Sequence, residues 1–152
     1  MSIAMTLHLL GVIIWVGGMF FAHMILRPVL NKRLEPHDRL PLLVDVFSGF
    51  FPWVWAAVIT ILISGFWMLF TNYKADIGLW LVIMSLVGVV MSAIFMFIYF
   101  FPYRQLGVAL KNSDKLKSVA TVNLIRQLIL VNLVLGLLVT VVAIIGKYGL
   151  LS

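Results

Sequence analysis

His8, Gly11, Trp15, Gly18, Met19, Ala22 and His23 recur at steps of three and four residues, so they share one side of a helix. The stripe combines two imidazoles with small residues, an indole and a thioether, and an imidazole can ligate a metal or move a proton. His8 and His23 are fifteen residues apart. At ~1.5 Å and ~100° per residue that spacing separates them by roughly 22 Å along the axis but only about 60° around it. They belong near opposite ends of one membrane-crossing helix and cannot serve the same iron. An ionisable group placed inside a bilayer is costly and usually faces a protein interior, which makes both histidines candidate site residues. His37 falls in a polar loop and reads as solvated.

Met19 is one turn from His23, and Met5 lies three residues before His8. Soft sulfur beside imidazole suits Cu(I), so His8, His23, Met19, Met84 and Met96 form a candidate metal set. Packing alone would equally account for the methionines. Gly11, Gly17 and Gly18 allow either close helix approach or room for a flat macrocycle, and Trp15 either stacks on such a ring or fills a core. Arg126 should lie near the depth of His23, where it could neutralise a propionate or an anionic headgroup; Arg27, beside His23, is a second cation there. Candidate cofactor-binding residues are therefore His8, His23, Gly11, Trp15, Gly18, Arg27 and Arg126. Asn132, Gly136 and Thr140 share a face and suggest an interhelical seam.

The elements that position these residues follow from composition. The chain is 64% hydrophobic and 11% charged, with a mean hydropathy of +1.18, so lipid must be its main solvent. The net charge of +6 comes from residues flanking apolar blocks, not from a stripe interleaved with aromatics, which favours anionic headgroups over nucleic acid. The absence of cysteine excludes disulfides, thiolate metal sites and sulfur-ligated iron clusters. No phosphate-binding glycine loop, nucleophile elbow or paired intramembrane carboxylates occur, and no catalytic residue is assigned.

Four apolar blocks predict a single all-α transmembrane domain, a four-helix bundle of two helical hairpins with spans at about 4–26, 47–70, 77–101 and 121–146. The first block reads as a retained helix and not as a signal peptide. Asp45 suits a helix N-terminus ahead of the second span. Arg27, Lys32, Arg33 and Arg39 occupy the first connection, and Arg104, Lys111, Lys115 and Lys117 the third; the second carries only Lys74. The positive-inside rule then makes those two loops cytoplasmic and places both termini of the multi-pass chain on the side of the membrane away from the cytoplasm. Trp53, Trp55, Trp67, Tyr73, Trp80, Tyr103 and Tyr148 cluster towards span ends as interfacial aromatics. Asp38-Arg39-Leu40 and Asp114-Lys115-Leu116 precede the second and fourth spans alike, while Arg27-Pro28 and Pro102-Tyr103-Arg104 close the first and third. Either a repeat or chance similarity accounts for this, and a repeat would set the first and third spans parallel.

Leu7-His8-Leu9-Leu10-Gly11, Trp15-Val16-Gly17-Gly18-Met19-Phe20-Phe21 and Leu26-Arg27-Pro28 resemble the CopD-like family of bacterial inner-membrane proteins. So do Phe50-Phe51-Pro52-Trp53-Val54-Trp55 and Tyr99-Phe100-Phe101-Pro102-Tyr103-Arg104, and the resemblance covers nearly the whole chain. It implies a four-helix membrane protein named by analogy with a copper-uptake component, with a more distant similarity to HemJ-type haem-dependent protoporphyrinogen oxidases. The family pattern, as the resemblance implies it, often adds third-span histidines at positions corresponding here to Val82 and Phe97, level with His8 and His23. This sequence keeps only the first-span halves of such pairs. The resulting expectation is a CopD-like protein that binds b-type haem through first-span histidine and supports electron transfer, with its haem sites partly vacated. The alternatives are copper handling through His and Met, or a cofactor-free accessory or assembly subunit. Its partners would be the lipid bilayer and a second copy of the chain or a larger membrane complex.

Overall fold

A computed structural model describes residues 2–72, 78–147 and 149. Lys74, Tyr73, Ile77 and Tyr148 lie outside the described residues. Helix α1 (Ser2–Phe21) passes through a π-helical turn (Ala22–Leu26) into α2 (Arg27–Arg33), and α3 (Pro36–Asn72) returns. Helix α4 (Leu79–Phe100) leads through Phe101 into α5 (Pro102–Lys111), and α6 (Lys115–Lys147) returns. Four stretches are long and apolar enough to cross a membrane: Ile3–Arg33, Pro36–Thr71, Leu79–Lys111 and Lys115–Lys147. They exceed the expected spans because the helices continue into polar turns beyond the hydrocarbon, where water can satisfy side chains.

The prolines explain why each hairpin has a short extra helix. Pro28 has no N–H and its ring would strike the carbonyl four residues back. The helix responds by slipping register: the Arg27 N–H bonds to Ala22, five residues earlier, in place of the usual four. At Pro102 the break is sharper, with Phe101 leaving helical geometry (φ −112°, ψ −82°) before α5 begins. Arg27-Pro28 and Pro102-Tyr103-Arg104 therefore redirect the chain and do not end it.

The turn into α6 is a Schellman arrangement, in which Asp114 N–H bonds to Ala109 O at 2.9 Å and Ser113 N–H to Leu110 O at 3.0 Å. Ser113 takes the left-handed conformation (φ 56°) that this motif requires. Asp114 then caps α6 through its carboxylate, which accepts the Lys117 N–H at 3.0 Å. Its counterpart in the suspected repeat differs: Asp38 lies in the first turn of α3, and the Glu35 carbonyl receives the Asp38 and Arg39 N–H groups. Asp45, expected ahead of the second helix, sits well inside it and is exposed, so it has no role at the helix terminus.

Neighbouring helices run α1–α3–α4–α6 around the bundle, with α1 and α4 on a diagonal. Each hairpin packs tightly on itself, α1 on α3 and α4 on α6; α1 also touches α6, and α3 touches α4. Lipid supplies no hydrophobic drive for such contacts, so close packing and internal hydrogen bonds must hold them. Along α1–α3 a Cβ at Gly11 would come within 2.8 Å of Ile61, and one at Gly18 would overlap the Phe50 ring. Across α4–α6, Asn132 Nδ2 donates to the Met91 carbonyl at 3.1 Å, and Gly136 receives Met91 and Val16. Thr140, expected in the same seam, bonds among the described residues to its own helix alone, at Gly136 O. Ser64, Ser92, Ser118 and Thr71 likewise donate to the carbonyl four residues back, which disposes of hydroxyls within each helix.

Aromatic rings join the hairpins. Phe51 stacks on Phe47 (5.3 Å) and meets Phe95, Tyr99 and Tyr103 edge-on at 5.7, 5.9 and 4.8 Å. Trp15 reaches across the diagonal to Phe95, with centroids 6.3 Å apart. Trp55 and Tyr103, expected towards span ends, are half-buried and join this cluster, with edge-to-face pairing among the rings. Trp53 and Trp67 point outward.

Candidate functional site

His8 has a specific partner on the neighbouring helix. Its Nδ1 lies 3.1 Å from Ser64 Oγ, and Ser64 in turn donates to the Thr60 carbonyl at 2.6 Å. A hydroxyl has one hydrogen. With that hydrogen committed to Thr60, the Ser64 oxygen accepts from His8, which assigns the proton to Nδ1 and leaves Nε2 with its lone pair. Gly65 makes the fit possible, since a Cβ there would come within 3.2 Å of His8 Cε1. A neutral imidazole fixed by a hydrogen bond through one nitrogen and presenting the other is the usual form of a metal-binding histidine.

By the antiparallel register that sets His8 against Ser64, Met5 and Met68 fall at one level of their helices, one turn further from the basic connections. Both methionines are half-buried. Ser64, Gly65 and Met68 were not among the sequence candidates; α3 carries two serine–glycine pairs, Ser48–Gly49 and Ser64–Gly65, and nothing in the sequence singled out the second.

The other candidates separate into distinct places. Trp15 and Met19 are buried in the core, while His23 is half-buried at the π turn towards the basic end. Met84 is half-buried on α4, and Met96 faces outward at 41% exposure. The five proposed metal ligands thus do not converge on one site. Among the described residues no group of three or more His, Asp or Glu could hold a metal ion.

A b-type haem does not fit this arrangement. The recesses at Gly11 and Gly18 are filled by Ile61 and Phe50, so the glycines serve close packing and leave no slot for a macrocycle. Val82 and Phe97, expected to face His8 and His23, are 50% and 45% exposed on the outer side of α4, which lies diagonal to α1. The expected pairing of first-span histidines with those positions is therefore incorrect.

At the opposite end, Arg27, Arg39 and Arg126 are half-buried, whereas the described lysines, Arg33 and Arg104 are exposed. Arg27 lies within coulombic reach of both Arg39 and Arg126, and His23 within reach of Arg27 and Arg126. The sequence placed Arg27 and Arg126 near His23 but did not single out Arg39.

Comparison with known protein families matches residues 44–145 to the family described as CopD, Copper resistance protein D. The matched segment takes in most of α3 and all of α4 and α5, with nearly all of α6; His8 and His23 precede it. No curated protein and no solved structure matches. With about two thirds of its 152 residues matched and four apolar helices in one bundle, this chain belongs to the CopD family and is a multi-pass inner-membrane protein.

Proposed function

We propose that this CopD-family chain handles copper, taking Cu(I) as cargo at His8 with Met5 and Met68 as thioether partners. The observation that carries the reading is the His8–Ser64–Thr60 chain, which leaves imidazole Nε2 unprotonated at one end of the bundle. Cu(I) favours soft thioether and imidazole ligands. All three groups are neutral, so a single positive charge enters the apolar site without a buried counter-charge to separate from it on release.

The charge distribution supports the direction of entry. Both basic connections lie at the end away from His8, so the positive-inside rule puts His8 at the periplasmic end and the Arg27–Arg39–Arg126 cluster at the cytoplasmic end. Reporter fusions are expected to report cytoplasm at Asn112 and periplasm at Lys74 and Ser152; the reverse pattern would place His8 on the cytoplasmic side and remove the uptake direction.

Binding is tested on the purified full chain in detergent by competition with a chromophoric Cu(I) chelator. One Cu(I) per chain is expected, with His8→Ala weakening it by about a hundredfold, roughly the loss of one good ligand. Met5→Leu with Met68→Leu, which conserve volume, are expected to weaken it together while leaving the fold unchanged. Wild-type affinity in both His8→Ala and the methionine double variant would sink the proposal.

A further inference from the structure

We infer that the pocket between α2, α3 and α6 is an anion site that takes the phosphate oxyanion of an acidic phospholipid headgroup. The cavity measures about 270 Å³ and is lined by Arg27, Asn31, Arg39 and Asn123. That volume is close to the lower limit of roughly 300 Å³ for small-ligand pockets, suitable for a headgroup.

Three independent observations converge on an anion. First, two of the three half-buried arginines, Arg27 and Arg39, line the pocket, with Arg126 within coulombic reach of Arg27, whereas the exposed lysines, Arg33 and Arg104 do not line it. Second, they lack a counter-ion: the one ion pair among the described residues is His37–Asp38 at 3.2 Å, and no carboxylate pairs with Arg27, Arg39 or Arg126. Partly buried like charges within reach of one another repel, and removing them from water adds to the cost. A bound oxyanion turns that repulsion into attraction. Third, the donor set suits phosphate: two guanidinium forks can each offer paired N–H groups, and the two asparagine amides add further donors.

The rest of the lining favours a lipid over a free ion. Leu30, Leu43 and Val122 form an apolar wall beside the arginines, and this wall suits the glycerol ester and first methylenes of an acyl chain. Free phosphate would leave it in contact with water. The location at the basic end of the bundle, where polar helix turns meet the apolar spans, is the level of a headgroup. The site is remote from His8, so this inference stands or falls separately from the copper reading.

The test uses the purified full chain in a non-ionic detergent, titrated with short-chain phosphatidylglycerol, phosphatidylcholine of equal chain length, or inorganic phosphate, with thermal stability as the readout. A ligand that binds only the folded state raises the midpoint in a saturable manner. Phosphatidylglycerol is expected to do so at concentrations about tenfold or more below those at which phosphatidylcholine acts, with inorganic phosphate weaker than both. Arg27→Gln and Arg39→Gln, singly and together, should abolish the preference, while Lys111→Gln with Lys117→Gln should retain it. Equal responses to the two lipids would overturn the inference, as would loss of preference in the lysine variant, which would indicate general surface charge. A response to inorganic phosphate as strong as that to phosphatidylglycerol would assign the pocket to a free anion and overturn the lipid assignment. If the double arginine variant does not fold, Arg39→Gln alone decides, since Arg39 lies near the start of α3 and outside the α1–α3 glycine contacts.

Discussion

Leucine at Gly18 is expected to force α1 away from α3 and destabilise the bundle by about 3 kcal/mol or more, the upper part of the range for overpacked cores. A side chain there has to displace the Phe50 ring, which occupies the space a Cβ would need. Phe50 cannot swing freely, because it packs against the buried core on its other side. The adjacent Gly17 supplies the control: nothing lies within 4 Å of a Cβ built there, and the residue is exposed. Gly17→Leu should leave stability nearly unchanged, since helix propensity improves and the new side chain meets lipid. Unfolding in mixed detergent micelles with increasing sodium dodecyl sulfate, followed by tryptophan fluorescence, compares the two. Equal losses would mean that the glycine pair matters for backbone flexibility and not for helix contact.

Removing the Phe51 ring should be comparably damaging. Phe51→Ala deletes a side chain touching four rings from both hairpins, and a large-to-small change of this type costs about 3–5 kcal/mol when the site cannot collapse. In a membrane the loss is mainly one of dispersion contacts and edge-to-face geometry, because the ring would otherwise rest in lipid and not in water. Phe70→Ala is the reference, as among the described residues Phe70 stacks on Phe66 alone, and it is largely exposed. Its effect should stay within about 0.5 kcal/mol, as for surface substitutions generally. A Phe51→Ala protein as stable as Phe70→Ala would show that the hairpins dock without the Phe51 ring, through the remaining contacts of α1 with α6 and of α3 with α4.

The spans were legible because a bilayer demands ~20 apolar residues in succession, and few other arrangements meet that demand. Their ends were not, since polar turns such as Pro36–Asp45 and Lys115–Ala120 continue each helix without any hydropathic signal. Burial of Gly11, Trp15 and Met19 could be read from three- and four-residue spacing, but the recess at Gly18 could not be assigned to a macrocycle or to Phe50 without the α1–α3 register. The misreading of Val82 and Phe97 has a similar origin. Helix α4 is apolar around almost its whole circumference, so hydrophobic periodicity does not fix its rotation. Its hydroxyls at Ser85, Ser92 and Tyr99 recur every seven residues and do mark the inner side: Ser92 is buried, and the other two are half-buried. His8 stood out in the sequence as a candidate, whereas Ser64, its hydrogen-bond partner, required the pairing of two segments more than fifty residues apart.

The π turn makes the distance between Phe21 and Arg27 a counted quantity. It accommodates one residue more than an α-helix would use, and one residue is worth about 100° of rotation. The direction in which Arg27 points is thus set by how many residues precede it, and not only by which residues they are. A related chain with the same arginines, one residue fewer in this stretch and an unbroken α-helix there would present the first arginine in the same direction, whereas one residue fewer with the π turn kept would rotate it by about 100°. Transfer of the anion pocket between such chains then depends on residue count and helix type in the turn together, and not on residue types alone.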